Sequence, residues 1–199
     1  VQFSKVVANK SSAVIVIDSS CPQLFRSLLP GILSRIEEQS GVSPENLTIL
    51  LTNTLWNKKD ESILELIPNP IRNRYPVVLH DPSNSQDCVE IGIINETVPI
   101  RVNKAYHESE LRIVLGPIMP DLIEGFAGGR SQILPGISDE ITMQGLYTYD
   151  RVGNKNVAYG ITRDNPFHMA GMQAMQMAGA DYAFCVLLTG EGEVAEIVS

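Results

Sequence analysis

The run Ala13, Val14, Ile15, Val16 and Ile17 is apolar at every position and β-branched at all but the first. Such a segment has no polar face to turn toward water. It therefore predicts a strand covered on both sides, as in a parallel sheet with helices above and below. The run ends at Asp18, and Pro22 then takes the chain out of the sheet and into a helix start. Leu24, Leu28, Ile32 and Ile36 recur at four-residue steps across 23–39, one stripe of an amphipathic helix that Pro30 should kink or split.

The alternation continues along the chain. Residues 47–51 read as a second buried strand, 77–79 as a third and 111–115 as another, with 182–188 and 194–198 completing the set. Asp60 is placed to cap a short helix carrying Ile63, Leu64 and Leu66. Residues 89–94 and 98–102 flank Asn95, Glu96 and Thr97 as a hairpin. Ser138 or Asp139 can cap a helix running toward Leu146, and Pro166 opens a last helix that Gly179 ends. The pattern predicts an α/β fold, a three-layer Rossmann-like domain with a largely parallel sheet, and residues 1–199 as one domain. Ligands of such sheets gather at the carboxyl ends of the strands, near a topological switch point. The candidate segments are then 18–22, 52–56, 80–82 and 116–130.

Composition narrows the function classes. With 44% hydrophobic residues the chain can bury an ordinary core, which argues against disorder. A formal charge of −8 argues against a general nucleic-acid or anionic-membrane partner, each of which needs a basic face. The longest apolar stretches are far too short to span a bilayer. Cys21, Cys88 and Cys185 are widely spaced and form no CxxC pair, so neither a zinc site nor a disulfide framework is indicated. Cytoplasmic residence is the expectation. The chain starts at Val1 with no signal peptide, which suggests a processed or excised piece.

The most informative segment for chemistry is 125–130. Gly128 and Gly129 can turn backbone N–H groups toward an anion, and Arg130 adds a planar fork for phosphate or carboxylate; a tight turn needing positive φ explains the two glycines as well. Asp18 ends the first strand, where a carboxylate caps the next helix or holds a ribose. Asp121, after Pro120, is a candidate general base or an exposed loop acid. Of the three histidines, His80 at a strand exit is the best placed, His107 lies in a polar stretch, and His168 sits in a first helical turn. None has metal-ligand spacing, so no metal site is expected. Met169, Met172, Met175 and Met177 give the last helix a flexible apolar face, read as core packing or, alternatively, as a docking surface.

Taken together, 14–18, 49–54, His80 with Asp81, the tail from Asn165 to Asp181, and above all residues 113–136 (IVLGPIMPDLIEGFAGGRSQILPG) point to a family. The chain resembles the N-terminal domain of the nickel-pincer lactate racemases over nearly its whole length. That resemblance implies racemisation of 2-hydroxy acids by hydride transfer to a nickel-pincer nucleotide, which is tethered through a lysine thioamide. It also implies two histidine bases and a C-terminal domain that closes over the site. Several reactive positions depart from the family's pattern: Leu55 and Trp56 where it has His-Arg, Asp121 where it has histidine, Ser131 for the tethering lysine, and Cys21 for an arginine. No histidine follows near Tyr147. A serine cannot form the amide-type tether, so covalent attachment of the cofactor is not expected here.

The reading that results is a divergent domain of this family. It is expected to bind an anionic small molecule, a 2-hydroxy acid or a nucleotide phosphate, at the carboxyl rim through Asp18, Thr54, Gly128, Gly129 and Arg130. Asp121 and His80 are the candidate acid–base residues of a racemase or epimerase with altered or lost nickel-pincer chemistry. A non-catalytic binding or scaffold module is the alternative, and an isomerase with a freely bound cofactor a third reading. The family's C-terminal domain is absent from this chain, so its place would be taken by a missing domain or a second subunit.

Overall fold

A computed structural model describes residues 2–56 and 60–199. Its strands are β1 (Ala13–Ile17), β2 (Leu47–Leu51), β3 (Val77–Leu79), β4 (Cys88–Ile94), β5 (Val98–Asn103), β6 (Leu111–Pro117), β7 (Met119–Asp121), β8 (Gly125–Ala127), β9 (Tyr182–Leu188) and β10 (Val194–Val198). The helices are α1 (Phe3–Val7), α2 (Gln23–Ser27), α3 (Leu29–Gln39), α4 (Asn69–Arg72), α5 (Lys104–Glu108), α6 (Glu140–Leu146), α7 (Tyr149–Val152) and α8 (Pro166–Ala178). The main sheet has the order β10-β9-β6-β1-β2-β3. Its pairings are parallel except for the edge strand β10, which turns back antiparallel on β9.

The central position of β1 follows from its composition. Ala13, Ile15 and Ile17 point into one core, with Leu47, Ile49, Leu51, Ile113 and Leu115 beside them and α2 and α3 packed above through Leu24, Phe25, Leu29, Ile32 and Ile36. Val14 and Val16 point the other way, into a second core with Leu50, Val114, the β4–β5 hairpin, Tyr106 of α5, and α6 and α8. Alternate side chains of one strand thus feed two cores, which makes the fold a three-layer one. Pro30 splits the expected helix as its chemistry requires. The break falls at Leu28, and the proline sits in the first turn of α3, where no N–H is missed.

Two elements differ from the sequence expectation. The polar stretch around His107 is helical, because Asn103 caps it by accepting from Ala105 N at 3.0 Å and Tyr106 is swallowed whole. The Tyr106 hydroxyl donates to Gly179 O at 2.5 Å, tying α5 to the end of α8. The methionines of α8 were expected first as core. The helix instead buries Phe167 and the small residues Ala170, Gly171, Ala174 and Ala178, packs Met175 against the core, and leaves Met169 and Met172 about half exposed. Small residues bring the helix close to the sheet side, and Met169 and Met172 are turned outward.

Asp139 links the hairpin to the helix beneath it. Its Oδ2 accepts from Arg101 Nε at 2.6 Å and its Oδ1 caps α6 by accepting from Thr142 N at 3.1 Å, with no solvent exposure. Removing it would leave a half-buried guanidinium without its acid and a helix without its cap. Asp139→Ala is expected to lower the unfolding free energy by about 3 kcal/mol, read from urea denaturation at neutral pH. A change under about 0.5 kcal/mol would show the ion pair to be dispensable.

Candidate functional site

The carboxyl ends of β1, β2, β3 and β6 lie on one edge of the sheet, and from them leave Asp18, Thr52, His80 and Ile118. β2 and β6 flank β1 on opposite sides, so the topological switch point falls beside Asp18. There Asp18 Oδ2 accepts from Gln132 Nε2 at 3.2 Å, while its Oδ1 accepts from Ser20 N at 2.8 Å and Ser20 Oγ at 2.6 Å. Gln132 is buried, and its Oε1 has no partner. A Cβ on Gly116 of β6 would stand 2.2 Å from Gln132 Nε2, so the glycine is what lets Gln132 reach across to Asp18.

The glycine-rich segment folds back as the hairpin β7–β8 and then a 3₁₀ turn, Gly129–Gln132. Asp121 is built into the hairpin bend: its Oδ1 accepts from Ile123 N at 2.8 Å and Glu124 N at 2.6 Å. The left-handed glycine is Gly125, at φ 79°, where a Cβ would also collide with Ile161 O. Gly128 is extended and Gly129 is not left-handed, which corrects the positive-φ reading of that pair. Gly129 is small for another reason, since a Cβ there would press on Cys185 Sγ at 3.2 Å. The Gly128 N–H already donates to Ser131 Oγ at 3.1 Å.

Beneath the hairpin lies an acid that the sequence does not advertise. Glu124 is 6% exposed, and its Oε2 accepts from Ser131 Oγ at 2.8 Å and stands 3.3 Å from an Arg130 nitrogen. Burial pushes its carboxyl up to about 7; the charge of Asp121 adds to this, against the Ser131 hydrogen bond and the Arg130 charge. Arg130 Nη2 also donates to Phe126 O, and its Nε is buried without a partner. The arginine stem lies along α8 at Gly171, where a Cβ would be 3.3 Å from its Cδ. Burial, then Arg130, pulls the neighbouring His168 imidazole down, and its Nδ1 is buried and unpartnered. Tyr147, pushed up by burial and by the charges of Glu124 and Asp121, packs edge-on to Trp56 and tilted against Phe167, with ring centroids 4.7 Å apart on either side.

Asp121, Gly128, Gly129 and Arg130 therefore share one hairpin-and-turn unit, with Asp18 reached through Gln132. Thr54 lies half-buried in the loop after β2. His80 is placed otherwise than a rim base requires. Its ring is fully enclosed, Nε2 is 3.1 Å from Ser138 O, Nδ1 is 3.1 Å from Asn103 Nδ2, and burial pulls it below the usual imidazole range. It ties β3 to β5 and to the start of α6. A hollow of about 440 Å³ opens at the rim beside β1, β2 and β3, lined by Ser19, Ser20, Asn53, Ser62 and Leu79 among others. None of the predicted site residues lines it, although Ser19 follows Asp18 directly.

Residues 1–158 match the model of the lactate racemase N-terminal domain. The chain belongs to that family. It is 26% identical over 191 residues to a lactate racemase of Thermoanaerobacterium thermosaccharolyticum, covering 93% of this chain and 43% of that protein. It is 22% identical over 196 residues to a lactate racemase of Lactiplantibacillus plantarum, covering 97% and 46%. The lactate racemase apoprotein structure from T. thermosaccharolyticum superposes with a TM-score of 0.90 at 22% identity, over 99% of this chain and 47% of that one. A Thermotoga maritima protein superposes with a TM-score of 0.66 at 19% identity, over 98% and 51%. The chain thus spans less than half the length of the curated relatives it matches.

The tethered nickel-pincer nucleotide implied by the resemblance can be tested against the side chains present. Position 131 offers a hydroxyl already engaged with Glu124 and Gly128, and no amine. Among the described residues no three of His, Cys, Asp and Glu are grouped to hold a metal. The side chain at 131 does not fit that group's lysine tether. Glu124, Gln132 and Tyr147 are the site residues that sequence reasoning passed over. A lone acid or amide in a loop reads as solvated, and only the folded hairpin encloses them.

Glu124 carries a pH signature. Its folded value of about 7 exceeds the ordinary 4.5, so the native state binds this proton more tightly than the unfolded chain. The resulting stability is complete below about pH 4.5 and is lost as pH rises through about 7, on the order of 3 kcal/mol in all. Glu124→Gln cannot ionise. Its urea midpoint relative to the parent should therefore climb between about pH 5 and about pH 8. Parallel curves for the two proteins would place the carboxyl in ordinary solvent.

Proposed function

We propose that this chain is an anion-binding domain of the lactate racemase family that takes a 2-hydroxy acid or a nucleotide phosphate at the carboxyl rim of its sheet. Arg130 is the anchor. The observation that supports the reading is its largely buried side chain, with an unpartnered Nε, two residues before the Gln132–Asp18 bridge at the switch point. A planar fork in low dielectric matches a carboxylate or phosphate. Gln132 Oε1, buried and unpartnered, is an acceptor for a ligand hydroxyl. Asp121 is the rim acid for proton transfer, since its Oδ2 makes no hydrogen bond among the described residues. A second domain or subunit, closing over the rim, supplies the remaining contacts, and the whole assembly is a 2-hydroxy-acid racemase or epimerase.

A non-catalytic binding module is the second reading. It is favoured by the engaged Ser131 hydroxyl and the enclosed His80, which leave the rim with few groups able to move a proton.

Titrating the 199-residue chain with D-lactate, L-lactate and inorganic phosphate, followed by amide NMR, tests the binding. Shifts should centre on residues 18–20 and 128–132. Arg130→Met should weaken affinity roughly tenfold or more, with Arg130→Lys between the two. Shifts confined to other surfaces would overturn the reading. Incorporation of solvent deuterium at C2 of a bound hydroxy acid separates the enzyme from the binding module.

A further inference from the structure

The Arg130 guanidinium is not waiting empty. An acid of the same chain, Glu124, already stands against it at 3.3 Å, enclosed by the β7–β8 hairpin and held by Ser131. Any external carboxylate or phosphate that takes Arg130 must share it with this carboxylate or displace it. Two anions on one buried guanidinium repel strongly at such range. We infer that Glu124 gates the anion site: as one anion binds to Arg130, one proton passes from solvent to the Glu124 carboxylate, which then gives up its ion pair. This rests on the anion-binding reading above and adds its regulation. The charge of the site is the same before and after, one guanidinium and one anion, so entry leaves no uncompensated charge behind.

The groups around Glu124 bear this out as its proton rather than another's. Asp121 on β7 repels a charged Glu124, and Arg130 and Ser131 on the 3₁₀ turn favour it. Tyr147, following α6, faces both acids and is pushed upward, so its phenol keeps its proton near neutral pH. His168 on α8 faces Arg130 and is pulled downward by burial and then by that charge. With Glu124 lifted to about 7, it is about half protonated near neutrality and close to balance between the two states. The Ser131 hydroxyl stays as the partner that can reverse from donor to acceptor when the carboxyl is protonated. This is an ion pair within the chain competing with the ligand for one cation, and the proton decides the competition.

The test uses lactate and sulfate, neither of which titrates in the range of interest. Calorimetry in two buffers of different ionisation enthalpy should record close to one proton taken up per anion bound at about pH 8, and little at about pH 6. The dissociation constant should rise toward tenfold per pH unit above the Glu124 midpoint. Glu124→Gln should bind with no proton uptake and no pH dependence, at the affinity the parent reaches in acid. Ser131→Ala serves as the second variant. It removes a hydrogen bond that favours the charged carboxylate, so the midpoint of the pH dependence should move upward. Binding by the parent with no proton uptake and a flat pH profile overturns the gating while leaving the anion site in place. Binding at no pH, in parent and Glu124→Gln alike, overturns the anion site itself and the gating with it.

Discussion

The two-sided burial of β1 is the constraint on which the rest of the molecule depends. A strand without a polar face must have a sheet neighbour on each edge and a layer on each side, and β2, β6 and the two cores supply them. Because those two neighbours lie on opposite sides of β1, the connections diverge at its carboxyl end. Asp18 and Gln132 meet there, in room left by the missing Cβ of Gly116. The site is thus a by-product of how the most apolar strand is accommodated. No additional element had to be invented to make a cleft there.

Much of this architecture was legible because it is written in local chemistry. The β-branched runs, the proline at 30, the Asp60 cap accepting from Ser62 N at 3.0 Å, and the Pro166 and Gly179 limits of α8 all act over a few residues. What escaped acts across the fold. Glu124 in the sequence is one acid among several in a loop, and its enclosure arises only when the hairpin closes over Ser131 and Arg130. His80 sits after a strand, as a catalytic histidine would, but its ring meets Asn103 and Ser138 from segments far along the chain. The methionine face of α8 splits between core and solvent for a related reason. Helical periodicity identifies an apolar stripe without saying which stripe the sheet will accept, and here the smaller residues won.

The exchanged residues around the 3₁₀ turn make sense as a set. A serine where the resemblance implies a lysine is a shorter, neutral group, and here its hydroxyl bonds to Glu124, whose carboxylate also pairs with Arg130. The overall fold is that of the family, as the family match and the structural superposition show. The electrostatics of the turn centre on an internal acid, Glu124. Conservation of fold with a changed donor set is what side-chain substitution on a rigid scaffold produces.

Gly171 ties the cation to the far side of the molecule. A glycine inside a helix costs about 1 kcal/mol of helix propensity, and here it opens a shallow channel in which the Arg130 stem lies. The stem of the arginine is therefore seated by a helix, while its guanidinium is held by Phe126 O and Glu124 of the hairpin that precedes it. Since that same helix turns Met169 and Met172 outward, whatever leans on the sulfur-rich side presses through one turn of backbone onto the charge at the rim.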